Sequence, residues 1–282
     1  MIQDIAPHKL NNQYGQKKAP DAGSRFLYYD GRKVLVRKGI GGNENQIAYP
    51  TYEELKKCMP KEAAEDTEDT EYTYLFAVDD KSYYLGKKEN VGILSEQMGY
   101  EWIDHQEFRC VSPKYEAFAG ITGWQLARWY QEHKFCGRCG NVMKPDHVER
   151  MMQCPKCGLM EFPKICPAVI IGVIDGDRIL MSKYAGREYK KYALLAGFTE
   201  IGETLEETVS REVMEEVGLK VKNITYYKNQ PWAFSDTLLM GFFCELDGSD
   251  QVKLDENERS TQIRLMKVKD MMLEEAHHYK EK

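Results

Sequence analysis

Apolar positions along the chain follow a period of two at first. In FLYYDGRKVLVR, residues 26 to 37, two β-rich runs flank Asp30-Gly31, and YLFAVDDKSYYLG, residues 74 to 86, repeats the pattern around Asp79 and Asp80. Such alternation broken by short turn signals predicts hairpins, so residues 25 to about 120 read as mostly strands and turns. From residue 121 the spacing changes. ITGWQLARWYQEHKF puts Trp124, Leu126, Ala127 and Tyr130 at helical spacing, which predicts a helix with its aromatics in the core. PAVIIGVIDGDRILMSKY, residues 167 to 184, then reads as strand, Asp175-Gly176 turn, strand.

A second helix is marked at both ends. Thr204 with Glu207 three residues on makes a capping box, so the helix begins near Leu205, and Gly218 stops it. Leu205, Val209, Val213 and Val217 form one apolar stripe. A further strand over Leu238 to Leu246 completes an α/β pattern, a sheet with at least one helix packed on it.

The composition narrows the class of function. The 282 residues are 42% hydrophobic and 30% charged, with a formal charge of -6. That balance suits a globular protein and argues against nucleic acid or an anionic membrane as the main partner. The longest apolar run, Ile165 to Ile174, is too short to span a bilayer, and MIQDIAPHKL is too polar for a signal peptide. The expectation is a cytoplasmic protein. KEAAEDTEDTEY, residues 61 to 72, reads as a solvated acidic loop.

Four of the eight cysteines fall in two matched pairs. Cys136-Gly-Arg-Cys139-Gly140 and Cys154-Pro-Lys-Cys157-Gly158 form C-x2-C-x14-C-x2-C, close to the four-cysteine zinc spacing. A redox C-x-x-C normally stands alone at a helix start, whereas here two pairs flank a hairpin-sized insert. Four thiolates make a closed tetrahedral site, so the expected Zn²⁺ is structural. Cys58, Cys110, Cys166 and Cys244 are scattered, as suits a reducing compartment.

The helix after Thr204 poses a charge problem. Residues 197 to 221 carry seven glutamates, and like charges one turn apart weaken a helix. Glu216 falls inside the edge of the apolar stripe, Glu212 beside it and Glu215 one step further round. Arg211 is the only basic residue in the helix; it can bond Glu207 or Glu215, or reach back to Glu203, but cannot neutralise the cluster alone. Partly buried carboxylates need a cation. Oxygen-only ligands suit a hard ion, and Mg²⁺ in particular binds through carboxylates together with substrate phosphates.

Gly197-x5-Glu203-x7-Arg211-Glu212-Val213-x-Glu215-Glu216-x-Gly218-Leu219 satisfies every specified position of the Nudix box, and the chain resembles a Nudix hydrolase. The resemblance implies an α/β/α sandwich around a mixed sheet and hydrolysis of a nucleoside diphosphate linked to another group. It places divalent metals on Glu212 and Glu216, with Glu215 as a further ligand or base and Glu203 paired to Arg211. The Ala196 carbonyl and Glu258, in KLDENERS, are carried over as further metal ligands.

Downstream, Asn229-Gln230-Pro231-Trp232-Ala233-Phe234-Ser235-Asp236-Thr237 resembles the SQPWPFPxS array of the NADH pyrophosphatase subfamily. That subfamily also has a four-cysteine ribbon before its Nudix domain and an extra domain before the ribbon. The expected organisation is therefore a β-rich domain over 1–130, a zinc ribbon over 131–163 and a Nudix domain over 164–282. The resemblance implies a homodimer that cleaves NADH or NAD⁺ to nicotinamide mononucleotide and AMP with Mg²⁺ or Mn²⁺. Phe162, Phe198, Gln230, Pro231, Trp232, Phe234 and Thr237 would contact the dinucleotide.

Removal of NAD caps from RNA 5′ ends and hydrolysis of ADP-ribose are alternatives with the same chemistry; Lys164, Lys183, Arg187, Lys190 and Lys191 are the cations available for an RNA track. A non-enzymatic nucleotide sensor is a third. Phe162-Pro-Lys-Ile-Cys-Pro167 departs from the subfamily's tyrosine-proline-arginine type segment, and MLEEAHHYKEK ends without its usual helix. Both departures bear on substrate preference rather than on chemistry.

Overall fold

The computed structural model describes residues 1–16, 19–58, 72–87, 91–184, 192–253 and 260–267, and the chain divides into two compact units, Met1–Lys164 and Ile165–Lys282. Most of the acidic stretch after residue 60 and the C-terminal segment 268–282 lie outside the described residues.

The first unit opens with β1 (Leu10–Asn11), β2 (Arg25–Leu27), β3 (Tyr29–Asp30), β4 (Lys33–Lys38), β5 (Ile47–Ala48) and α1 (Tyr52–Cys58). It continues with β6 (Thr73–Val78), β7 (Lys81–Leu85), α2 (Val91–Met98), β8 (Glu101–Asp104) and α3 (Lys114–Glu132). Two sheets result, one in the order β1-β6-β7-β2 and one in which β4 pairs with β3, β5 and β8. The expected hairpins are present as β3–β4 and β6–β7. The core between them is aromatic: Phe26, Tyr74 and Tyr84 pack together, with Phe26 and Tyr84 stacked at 5.4 Å.

Two helices in this region escaped the strand-and-turn reading. In α1 the signal is a capping box, Glu54 N–H donating to Thr51 Oγ1 at 3.2 Å while Thr51 N–H donates to Glu54 at 2.9 Å. With seven residues, α1 shows too little periodicity to declare itself. Helix α3 begins at Lys114, ahead of the expected 121, because Ala117, Phe118 and Ile121 also face the core.

The unit ends in a three-stranded sheet of β9 (Lys144–Pro145), β10 (Met152–Gln153) and β11 (Met160–Glu161), in the order β11-β10-β9. Trp129 near the end of α3 packs with Cys136, Met143, Met152 and Cys154, so the helix and the cysteine segment share one small core.

The second unit contains β12 (Cys166–Asp175), β13 (Arg178–Tyr184), β14 (Leu195–Phe198) and α4 (Leu205–Val217). It closes with β15 (Val221–Trp232), β16 (Thr237–Leu246) and β17 (Ser260–Lys267). The strands form a mixed sheet in the order β15-β16-β12-β13-β17, with β14 on β12; β12 and β16 are parallel and the other pairs antiparallel. This is the expected α/β class, with the expected strands at β12, β13 and β16.

Helix α4 covers one face of that sheet. Val209, Val213 and Val217 are fully buried against Val169, Ile171, Val173 and Phe242. Its caps are as the sequence predicts: the Thr204–Glu207 capping box is closed from both sides, and Gly218 ends the helix by donating to the Met214 carbonyl. The second helical layer of the expected sandwich is not among the described residues, and neither is any helix long and apolar enough to cross a membrane.

Replacing Thr204 by Ala opens the capping box, with Glu207 N–H losing its acceptor at 3.2 Å. The expected cost is about 1 kcal/mol, read as a lowered urea midpoint at unchanged slope.

Candidate functional site

Two constellations stand out, one in each unit. In the first, the sequence builds two knuckles of the same form. Gly140 and Gly158 adopt φ of 69° and 72°, the left-handed region that only glycine enters freely. Each donates its N–H to the carbonyl of the first cysteine, Gly140 to Cys136 at 2.8 Å and Gly158 to Cys154 at 3.0 Å. The four sulfurs face one another, all within 4.8 Å, with Cys136 to Cys157 and Cys139 to Cys154 both at 3.5 Å. A tetrahedral ion with bonds of about 2.3 Å to sulfur sets sulfur–sulfur spacings of roughly 3.8 Å. The cluster has that size.

The electrostatics agree with a bound cation. Burial pushes the Cys154 thiol up, but the N–H groups of Cys157 and Lys156 and the neighbouring thiols outweigh it and bring it down to about 6. Cys136 is lowered against burial by the N–H groups of Cys139 and Arg138. Cys139 receives the Asn141 N–H, yet burial and the adjacent sulfurs raise it to about 11. The knuckle N–H groups favour thiolate at Cys136 and Cys154, the first cysteine of each pair, and sulfurs this close suit a cation among them. Every ligand position is a cysteine, so a zinc held here is structural.

In the second unit the loop after β14 and the helix α4 bring the carboxylates together around one guanidinium. Arg211 Nε donates to Glu203 Oε1 at 2.6 Å and Nη2 to Glu203 Oε2 at 2.9 Å. Its Nη1 donates to Glu212 at 2.8 Å and to Glu215 at 3.0 Å, and Nη2 also reaches the Phe198 carbonyl at 2.9 Å. Of the options open from sequence, Arg211 takes Glu203 and Glu215, while Glu207 is committed to the helix cap. Two participants were not foreseen from the sequence: the Phe198 carbonyl and Thr208, a buried residue whose hydroxyl donates to Glu203 at 3.0 Å. A threonine facing the core one turn after a cap was the available clue.

Glu212 leans over β14. A Cβ at Gly197 would lie 1.9 Å from the Glu212 Cδ, so only glycine leaves room for that carboxylate. Burial raises the Glu212 pKa, partly offset by Arg211. Glu203 goes the other way, down to about 2, held by Arg211, the Glu200 N–H and the Thr208 hydroxyl. Glu215 is exposed and Glu216 half-buried on the same helix. Ala196 is exposed on β14 beside Gly197, and Glu258 lies outside the described residues.

The aromatic array occupies the turn between β15 and β16. Gln230, Pro231 and Trp232 end β15, Phe234 lies in a short 3-10 turn and Thr237 starts β16, buried. Trp232 and Phe234 meet at 4.9 Å, and the Ser235 and Thr237 hydroxyls are 2.8 Å apart. Asp236, at φ 55°, reverses the chain and accepts the Cys166 N–H at 2.6 Å, fastening the turn to β12. Register aligns Phe198, Ala168, Leu239 and Gln230 across four neighbouring strands, which puts Phe198 and Gln230 about 14 Å apart at ordinary strand spacing. Phe162 follows β11 in the first unit and is exposed.

Residues 164–282 match the NUDIX domain model, and residues 131–162 match the NADH pyrophosphatase zinc ribbon domain. A protein of Salmonella schwarzengrund named NAD-capped RNA hydrolase NudC is 45% identical over 130 residues, 46% of this chain and 51% of that protein. A Citrobacter koseri protein of the same name is 43% identical over 136 residues, 48% of this chain and 52% of its own length. The chain spans about half the length of the curated relatives it matches. A NUDIX hydrolase of known structure from Nitrosomonas europaea aligns with 51% of this chain and 93% of its own at 25% identity, with a TM-score of 0.42.

The opposed carboxyl shifts give a pH signature. Glu203 is depressed, so its pairing stabilises the fold above the unfolded value of about 4.3 and is lost as pH falls towards 2. Glu212 is raised, so its ionisation weakens the fold as pH rises through its folded value. Carboxyl ¹³C titration is expected to give Glu203 at about 2 and Glu212 above the ordinary 4.5, and Arg211→Met to return Glu203 to the usual range.

The thiolate cluster predicts stoichiometric zinc in the purified protein. Cys154→Ser is expected to release it, with loss of hydrogen-exchange protection over residues 129 to 154, where the small core surrounds the sulfurs. Metal analysis that finds no zinc in the wild type would contradict this.

Proposed function

We propose that this chain, which belongs to the Nudix family and carries the zinc ribbon of NADH pyrophosphatases, hydrolyses the pyrophosphate bond of NADH or NAD⁺ to nicotinamide mononucleotide and AMP. The observation that carries this reading is the Arg211 guanidinium, which bonds Glu203, Glu212, Glu215 and the Phe198 carbonyl at once. One group therefore links the acidic cluster to a residue whose ring is exposed at the end of β14. The relatives named NAD-capped RNA hydrolase support the dinucleotide class.

The donor set fits a hard divalent cation, because the carboxylates are oxygen-only and crowded, and among the described residues Glu203, Glu212 and Glu215 share one arginine. Glu212, Glu215 and Glu216 would hold Mg²⁺ or Mn²⁺, with the Ala196 carbonyl and Glu258 as further ligands. The bound ion supplies charge neutralisation at the pyrophosphate and a more acidic water. Arg211 keeps Glu203 ionised and fastens the loop, while Gly197 leaves Glu212 its space. Phe198, Trp232 and Phe234 offer aromatic faces to the rings, with Phe162, Gln230, Pro231 and Thr237 completing the contacts.

The same reading includes a homodimer acting in the cytoplasm. It is supported by free cysteines at Cys110, Cys166 and Cys244, which suit a reducing compartment, and by exposed Tyr226, Tyr227 and Phe243 on β15 and β16. The domain limits 1–130, 131–163 and 164–282 belong to it too. NAD-cap removal from RNA is the second reading, favoured by the relatives' name; Lys183 is placed over the Tyr192 ring at 4.0 Å, and Arg187, Lys190 and Lys191 lie outside the described residues.

The test is product release from NADH, NAD⁺ and NAD-capped RNA with Mg²⁺ or Mn²⁺. AMP and nicotinamide mononucleotide are expected from the dinucleotides, and Glu212→Gln and Glu216→Gln each lower the rate by about 10²-fold or more, the scale of losing one transition-state electrostatic contact. Absence of AMP from all three substrates sinks the proposal.

A further inference from the structure

Thr208 joins the Arg211 cluster from a position that the Nudix box leaves unspecified. It lies in α4 directly before Val209 of the apolar stripe and is wholly buried. Threonine is a poorer helix former than alanine, and a hydroxyl that enters a core must find a partner. Its Oγ1 has two acceptors in reach, Glu203 Oε2 and the Thr204 carbonyl, both at 3.0 Å. A hydroxyl has one proton, so it serves one of them at a time.

The Thr204 carbonyl already accepts the Thr208 N–H of the helix ladder at 3.0 Å. Glu203 is a carboxylate that Arg211 holds ionised, and a charge-assisted hydrogen bond is about twice as strong as a neutral one. The proton therefore belongs to Glu203. Two residues on, Ser210 shows the ordinary case: it is exposed, and its hydroxyl donates to the Glu206 carbonyl one turn back at 3.1 Å.

The bond to Glu203 matters because of what Glu203 holds. Arg211 commits two N–H donors to Glu203 and the others to Glu212, Glu215 and the Phe198 carbonyl, which uses the whole guanidinium. The direction of the Glu203 carboxylate therefore sets where Nη1 meets Glu212 at 2.8 Å and Glu215 at 3.0 Å. A fork of two parallel bonds can still swing as a unit on its two flexible side chains. Two donors outside the fork oppose that swing, both on Oε2: the Glu200 N–H at 3.1 Å from the loop, and the Thr208 hydroxyl from the buried side of the helix.

We propose that Thr208 is a positioning residue: through Glu203 it fixes the Arg211 guanidinium, and with it the placement of the Glu212 and Glu215 carboxylates that receive the divalent ion. The inference rests on the reading of those two glutamates as metal ligands and needs no particular substrate.

Mn²⁺ titration of the full-length, zinc-loaded protein without dinucleotide, read from the electron paramagnetic resonance of the free ion, tests this. Thr208→Val keeps the branched shape and removes the hydroxyl, whereas Thr208→Ser keeps the hydroxyl and removes a methyl group. Thr208→Val is expected to weaken Mn²⁺ binding by about tenfold, the lower end for outer partners of a metal site. It should also speed hydrogen exchange of the Glu200 amide in the Mn²⁺-free protein, because that amide shares the Glu203 oxygen. Thr208→Ala, a second variant without the hydroxyl and with better helix propensity, is expected to behave as Thr208→Val does. Thr208→Ser and Ser210→Ala are expected to match the wild type in both measurements. A role in packing alone reverses the order, leaving Thr208→Val like the wild type and Thr208→Ser impaired.

Wild-type Mn²⁺ affinity in Thr208→Val and Thr208→Ala, affinity in Thr208→Ser as weak as in those two, or a wild type that binds no Mn²⁺ would each overturn the proposal. Product release from the dinucleotides is a separate measurement. Its absence in a protein that shows the expected order of Mn²⁺ affinities sinks the hydrolytic reading and leaves the positioning role in place.

Discussion

The bidentate pair between Arg211 and Glu203 joins the loop after β14 to the first turns of α4, and the rest of the candidate site is arranged around it. Without that guanidinium, Glu203, Glu212 and Glu215 would face one another with nothing between them, and the Phe198 carbonyl would lose its donor. Among the described residues, Glu203, Glu212 and Glu215 share this one positive charge, which leaves that trio with an excess of negative charge. Helix α4 withstands it because Val209, Val213 and Val217 are fully buried and both ends are capped; the packing term exceeds a few tenths of a kcal/mol of repulsion per pair. The excess is what a divalent cation would neutralise.

The two units reach stability by different routes. The Ile165–Lys282 unit has a continuous apolar layer between its sheet and α4. The cysteine segment of the other unit has strands of two residues each and a core of five buried side chains, two of them cysteines. Burial on that scale cannot offset the ordering of the chain, so the metal supplies the difference.

Much of this was legible without coordinates. The capping box at Thr204 and Glu207, the stop at Gly218, the valine stripe and the cysteine spacing are local signals, and each maps to a short stretch of chain whose geometry follows from its own residues. Other parts were not. Helix α1 is too short to show a period, β15 carries mostly exposed residues over its twelve positions and so lacks an apolar alternation, and β14 is recognisable only once β12 is beside it.

The sequence by itself determined which groups are available: seven glutamates and one arginine in a loop and the capped helix that follows it, four cysteines at ligand spacing, and an aromatic turn before Thr237. Only the tertiary structure decided how they are shared. Whether Arg211 turns to Glu203, Glu207 or Glu215 depends on where the loop from β14 passes, and whether Glu212 can lean inward depends on the missing side chain at Gly197, a strand neighbour fifteen residues away in the chain. Those choices rest on contacts between segments that no local period encodes, because burial and hydrogen bonding across strands are set by the packing of the whole sheet.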